Sequence, residues 1–204
     1  DNLVTHHIYK HKPLPTSDAL AYQYILAGNG VFVRAETRFF SALLSAATCI
    51  VRGLPLLRTQ FQLLVPRIPA QLLDTILADA RQARRPDNGL NEVLYQFHHH
   101  GQRVQVRKPP QQCNAVTVLA TGIEEKSVIC DLHSHGNMSA FFSQTDNADE
   151  QGVRLYTVIG RLDTQPEMRV RVGVYGYWLP LPVTAVFTSS GPFKDLYLEE
   201  KHEF

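Results

Sequence analysis

The sequence predicts an α+β fold with much sheet and one long helix, and a small β-rich region ahead of it. Three observations lead there. Short runs of β-branched and aromatic residues recur along most of the chain, punctuated by Gly and Pro. One stretch, after Pro69, carries apolar residues at helical spacing. A content of 44% hydrophobic against 19% charged residues is enough to bury a core. The 204 residues suit a core domain with a smaller appendage, divided as 67–204 and 1–66.

Residues 1–15, with His6, His7, His11, Pro13 and Pro15, read as a loose arm. Strands are expected at Gly30–Val33, Ala47–Val51 and Phe61–Val65, with turns near Gly28–Gly30 and Gly53–Pro55. Pro69 then opens the helix, whose apolar side is Leu72, Leu73, Ile76, Leu77 and Ala80. Basic residues, a proline and a glycine in 84–89 stop it. From Leu90 the period becomes that of a strand. His98-His99-His100-Gly101 reads as an exposed hairpin turn leading into Val104 and Val106, closed by Pro109-Pro110. Further strand-like runs are Ala115–Ala120, Ser127–Cys130, Leu155–Ile159, Arg169–Val174 and Ala185–Phe187. The Tyr175-Gly176-Tyr177-Trp178 cluster suits an aromatic core or sheet edge, with a substrate surface as the alternative.

Charge narrows the function classes. Twenty Lys and Arg against nineteen Asp and Glu leave a formal charge of +1, without the basic excess that nucleic acid or a membrane surface selects. Three cysteines, odd in number and without C-x-x-C spacing, argue against a disulfide framework or a four-cysteine zinc site. No apolar run reaches the length of a membrane span, and the His-rich first residues do not form a secretory leader. The expectation is a soluble, cytoplasmic protein.

The informative segment is Asp131-Leu132-His133-Ser134-His135-Gly136-Asn137, followed by Ser143-Gln144-Thr145-Asp146. On a strand, His133 and His135 project to the same side while Ser134 faces away, so two imidazole nitrogens can share one ion. A helical turn would bring Ser143 and Asp146 to one face. Two nitrogens and a carboxylate oxygen from His133, His135 and Asp146 make a three-donor set that leaves a fourth position for water, as catalytic zinc requires. A water activated in that way needs a base. Of Glu36, Glu92, Glu124, Glu125 and Glu150, Glu92 is the best placed, because it opens an apolar strand directly after the helix and its loop. Plainer readings exist for each part. H-x-H on a strand is often sheet surface, S-x-x-D is often a helix cap, and Cys130 is a core residue rather than a ligand.

Glutamate, then H-x-H, ten residues and aspartate with serine three before it, resembles the signature of the JAMM (MPN+) metalloproteases, the JAB-domain family, which implies a curved mixed β-sheet flanked by helices, a cytidine-deaminase-like fold. His133, His135, Ser143 and Asp146 match its positions, and Glu92 is the counterpart of its glutamate by placement. The resemblance spans about residues 68–186. Gly136 stands where the family usually has proline. Residues 15–65 and the His-x-His-Gly variant look like the branch encoded in plasmid-associated PRTRC gene clusters.

The resemblance implies zinc-dependent hydrolysis of an isopeptide or peptide bond at the C-terminus of a bacterial ubiquitin-like protein, in maturation or deconjugation. It implies a Zn2+ cofactor held by His133, His135 and Asp146, with Glu92 shuttling the proton and Ser143 stabilising the oxyanion. The expected partners are that ubiquitin-like substrate and activating-enzyme-like proteins encoded nearby. The alternatives are a non-catalytic MPN-type scaffold, against which the intact ligand set argues, and a RadC-like DNA-associated protein. The latter would carry a helix–hairpin–helix that residues 1–66 do not suggest.

Overall fold

The computed structural model describes residues 2–113, 118–120 and 125–198. The expected run Ala115–Ala120 therefore lies partly outside the described residues, as does Glu124. The described residues form an α+β structure with mixed sheets and two α-helices. Its elements group into two compact units: Asp1–Val65 with Glu150–Val153 and Val172–Leu179, and the remainder.

The first unit is built on a five-stranded sheet in chain order: β1 (Val4–Ile8), β2 (Tyr22–Ala27), β3 (Gly30–Glu36), β4 (Phe40–Thr48) and β5 (Gln60–Leu63). Strand β1 corrects the loose arm. Val4, Thr5 and Ile8 favour extended backbone, and the edge of β2 supplies hydrogen bonds that a free arm lacks, in parallel register. Strand β2 was not anticipated. Strand β4 begins at Phe40 and ends at Thr48, so Cys49-Ile50-Val51 lies beyond it, with Ile50 88% exposed. β-branching alone gives no partner strand, and pairing with β3 decides the boundary.

The second unit opens with α1 (Gln71–Ala80). Leu73, Ile76, Leu77 and Ala80 are its buried stripe, the i, i+3, i+4, i+7 pattern of an amphipathic helix. Its first turn is capped from far away in sequence, the Ala70 N–H donating to Thr188 Oγ1 at 2.9 Å. The helix ends at Ala80, where a turn closed by the Gln82 N–H on the Asp79 carbonyl (2.9 Å) takes over before Arg84 is reached. Along the chain there follow β6 (Leu94–His100), β7 (Arg103–Arg107), β8 (Gln111–Cys113), β9 (Val118–Ala120), β10 (Val128–Ser134), α2 (Gln144–Asp149), β11 (Val153–Gly160), β12 (Glu167–Val174), β13 (Tyr177–Leu181) and β14 (Lys194–Asp195), of which residues 153, 172–174 and 177–179 group with the first unit.

The large sheet runs β13-β12-β11-β10-β6-β7, with β14 beside β12. Its centre is mixed, β10 pairing parallel with β11 and antiparallel with β6. These central strands are covered on both faces, which is why β10 reads as a nearly continuous apolar run. Helix α1 is tied to the β6–β7 hairpin through Asp79, which accepts from the Tyr95 hydroxyl (2.6 Å) and from Lys108 Nζ (2.8 Å). Together the two donors hold the Asp79 carboxyl below its ordinary pKa against the opposing effect of burial.

Two further expectations change here. His98, His99 and His100 belong to β6, not to the hairpin turn, which falls at Gly101. His98 and His99 are buried, and His98 Nδ1 lies 2.8 Å from Ser127 Oγ. Imidazole is polar yet has flat apolar faces, so a hydrogen-bonded histidine can occupy a covered strand. Ala185–Phe187 is not a strand. Val183–Ala185 forms a 3-10 turn, and Phe187 makes only an isolated bridge to Ile68. Pro182 ahead of it has no N–H for a ladder. Among the described residues, no helix is long and apolar enough to cross a membrane.

Candidate metal centre

His133 comes from the last turn of pleat in β10, paired across the sheet with Val158 on one side and Leu94 on the other. His135 follows just beyond the strand, its N–H held by the Ile159 carbonyl at 2.8 Å. The alternation places the two rings together: their Nε2 atoms are 3.1 Å apart. Ser134 points the other way. Its hydroxyl accepts the Val93 N–H at 3.1 Å and its own N–H donates to the Val93 carbonyl at 2.9 Å.

That pair of bonds also positions Glu92. Asn91 N–H donates to the Ala83 carbonyl (2.8 Å), so the backbone on both sides of Glu92 is held. The Glu92 carboxylate approaches the centre, with Oε1 4.0 Å from His135 Nε2. Burial pushes its pKa up to about 7; the charge of His135 opposes this and that of Asp146 adds to it.

After His135 the chain turns at Gly136, whose φ of 57° lies in the left-handed region. Proline, with φ near −65°, has no access to that conformation, so the turn here differs in hand from one built on the family's usual proline. The loop is then stitched to the end of β11. Leu162 N–H donates to the Gly136 carbonyl (3.0 Å) and Arg161 N–H to the Met138 carbonyl (2.8 Å). Asn137 and Asp163 exchange two hydrogen bonds, and Arg84 clamps Asp163 at 2.8 Å. Gly160 permits this approach, since a Cβ there would collide with the Met138 carbonyl oxygen.

Asp146 is delivered by α2. Ser143 precedes the helix and forms a reciprocal cap with it: Asp146 N–H donates to Ser143 Oγ (3.1 Å) and Ser143 N–H to Asp146 Oδ2 (2.6 Å). The cap and the donor role are therefore not alternatives. One carboxylate oxygen orients the side chain, while Oδ1 lies 3.3 Å from His133 Nε2. The adjacent imidazoles and the Ser143 N–H hold the Asp146 carboxyl far below the ordinary carboxylate range, although burial acts against them.

The donor atoms of His133, His135 and Asp146 all lie within 4.8 Å of one another. Ligands at about 2.0–2.1 Å from a tetrahedral ion are about 3.3 Å apart, close to the 3.1 and 3.3 Å observed. Two imidazoles and a carboxylate thus fit a divalent cation, and the Glu92 carboxylate lies beside this set, 4.0 Å from His135 Nε2. The arrangement could polarise a carbonyl and move a proton.

Among the glutamates considered from sequence and described here, Glu92 is the one that the structure brings to His135. Ser143 is brought to Asp146. Sequence reasoning missed the aromatic pair between the two motifs. Phe141, 43% exposed, meets the His135 ring edge-on at 4.8 Å. Phe142 lies 6.3 Å from the His133 ring and beneath the Arg171 guanidinium, which also donates to Asn147 Oδ1 on α2 at 2.7 Å. Consecutive phenylalanines after a turn were the available signal. Cys130 is fully buried, its sulfur 3.3 Å from Thr157 Oγ1, as suits a core residue.

This combination of mixed sheet, helix-delivered aspartate and strand-delivered histidines belongs to a known class. A family model described as prokaryotic homologs of the JAB domain (Prok-JAB) matches residues 69–173, just over half of the chain. The chain belongs to that family, and the matched span contains Glu92, His133, His135, Ser143 and Asp146. No curated protein matches the chain.

Proposed function

We propose that the protein is a JAMM-type zinc metallopeptidase that cleaves an amide bond at the C-terminus of a bacterial ubiquitin-like protein. The observation that carries this reading is the convergence of His133, His135 and Asp146 within 4.8 Å, with the Glu92 carboxylate 4.0 Å from His135. Zinc held by that set would supply Lewis acidity toward both the scissile carbonyl and a water molecule.

The chain's own groups account for the rest of the chemistry. Glu92, buried and with its pKa near neutrality, takes a proton from the attacking water and delivers it to the leaving amine as the C–N bond breaks. Oxygen from that water ends on the new carboxylate. The Ser143 hydroxyl already accepts the Asp146 N–H, so its own proton is available to the oxyanion that develops on the substrate carbonyl. Asp146 stays ionised throughout, held by the two imidazoles and the backbone of Ser143.

In this reading the substrate is a ubiquitin-like protein, with activating-enzyme-like proteins as further partners, and the chain is of the PRTRC branch. The test is to incubate the purified chain, without a histidine tag, with ubiquitin-like proteins encoded beside it. Mass spectrometry should find a chelator-sensitive loss at their C-termini and about one equivalent of zinc in the enzyme. A zinc-loaded protein that leaves every such C-terminus intact would instead support a scaffold.

A further inference from the structure

Helix α2 delivers Asp146, yet little within the helix holds it in place. It is six residues long, Gln144–Asp149, and none of them is buried. A helix that short is not stable by itself, and no buried apolar face ties this one to the sheet. The Ser143–Asp146 cap is local, so it shapes the turn without fixing where the turn sits. The distance from Asp146 to the histidines of β10 must therefore be set from outside the helix.

Strand β12 carries polar side chains suited to that task. Its sequence Glu167-Met168-Arg169-Val170-Arg171-Val172 alternates, so Glu167, Arg169 and Arg171 project from one face while Met168, Val170 and Val172 are buried on the other. Each of the three polar side chains grips the segment that runs from Ala140 to Asn147. Glu167 Oε2 accepts the Ala140 N–H at 3.3 Å, and Arg169 Nε donates to the Ala140 carbonyl at 2.8 Å. Arg171 reaches the helix itself, donating from Nη1 to Asn147 Oδ1 at 2.7 Å. Its guanidinium carbon also lies 3.8 Å from the centre of the Phe142 ring.

Arg171 is only 6% exposed, and withdrawing a guanidinium from water costs free energy that an aliphatic side chain would not. What the guanidinium offers is a flat face for an aromatic ring together with N–H donors at its rim. An aliphatic side chain has neither, and lysine lacks the flat face. Phe142 is the residue before Ser143 and Asn147 is the residue after Asp146. One buried side chain thus brackets the Ser143–Asp146 turn from both ends.

We propose that Arg171 is a positioning residue for the metal centre: by bracketing this turn it holds the Asp146 carboxylate at ligating distance from His133 before any ion binds. The proposal rests on the metal-binding part of the reading above and is indifferent to the substrate.

The test measures zinc affinity of the full chain by competition with a chromophoric chelator, together with amide exchange of the metal-free protein. R171M and N147A should each weaken zinc binding by about 10–100-fold, the range for loss of a partner that orients a ligand. The double variant should bind no more weakly than the weaker single one, because both changes remove the same link. R171K keeps a donor for Asn147 and should bind zinc more tightly than R171M. In metal-free N147A the Asp146 and Asn147 amides should exchange faster, while those of α1 keep the parent rate. Alanine is the better helix former, so N147A decides the matter even if R171M does not fold. A parent that binds zinc, with both single variants within about twofold of it, would overturn this proposal alone; so would fully additive losses in the double variant. A parent that takes up no zinc would remove the centre itself, and this proposal with it.

Discussion

Two polar regions of the molecule differ in what they lack. At the H-x-H centre, atoms able to ligate a metal converge: two imidazole Nε2 atoms 3.1 Å apart with a carboxylate oxygen 3.3 Å from one of them. In the N-terminal unit the unpaired buried atoms are mostly donors, the Arg34 edge, with one glutamine oxygen nearby in register. Donor atoms that converge on one point suit a cation, whereas the Arg34 Nε and Nη2 atoms are closed to water and therefore to a ligand as well. Convergence on a common point, more than the number of unpaired groups, is what marks a metal centre.

The comparison breaks most readily at the ligands. H135A or D146A should lower zinc content from about one equivalent to near zero. Affinity should fall by more than the roughly 100-fold that loss of a supporting partner costs, and cleavage should vanish. Zinc analysis after dialysis checks this, and full retention of metal by both variants would remove the centre from the argument.

Glu92 comes next. E92Q should keep the metal and lose about 10²–10⁴ in turnover, because it removes only the proton acceptor. The same variant carries a pH signature in metal-free protein. Burial raises the folded-state pKa of Glu92 to about 7, so native protein binds that proton more tightly than the unfolded chain. Its contribution is present below the ordinary glutamate range and is lost as pH rises through 7. Metal-free E92Q should therefore melt above the parent at pH 8, by about 2–4 °C for each kcal/mol relieved. The two should converge below pH 4. A parent that melts as high as E92Q at pH 8 would contradict this burial argument.

Ser143 separates chemistry from capping. S143A should cost about 10²–10³ in turnover if the hydroxyl meets the oxyanion, and about 1 kcal/mol in stability from the lost cap. A stability loss with an unchanged rate would leave it as a cap only. The smallest effect belongs to Gly136. G136A should destabilise by about 1–2 kcal/mol, from φ 57° and a Cβ placed 3.0 Å from that of Leu90, while zinc content stays the same.

Local chemistry made part of this legible in advance. The amphipathic stripe Leu73, Ile76, Leu77, Ala80 marks α1 without any knowledge of its partner, because helical hydrogen bonds are internal to the segment. The spacing of His133 and His135 is likewise enough to put both rings on one side of a strand. Sheet partners were not legible to the same degree. Strand β1 exists because β2 offers an edge, and His98 and His99 are buried because neighbouring segments cover β6; neither fact is written in the five residues around them. Phe141 against His135 was missed for the same reason: an exposed aromatic has no periodic signature.

The sequence by itself therefore determined the helix, the α+β class, and the donor types with their short-range spacing, since these rest on bonds and periods only a few residues long. Tertiary structure alone decided that Asp146 Oδ1 meets His133, that Glu92 stands 4.0 Å from His135, and that Arg34 is left without an acceptor. Those distances depend on where separate strands and helices pack, and packing is set by burial summed over the whole fold rather than by any motif within it.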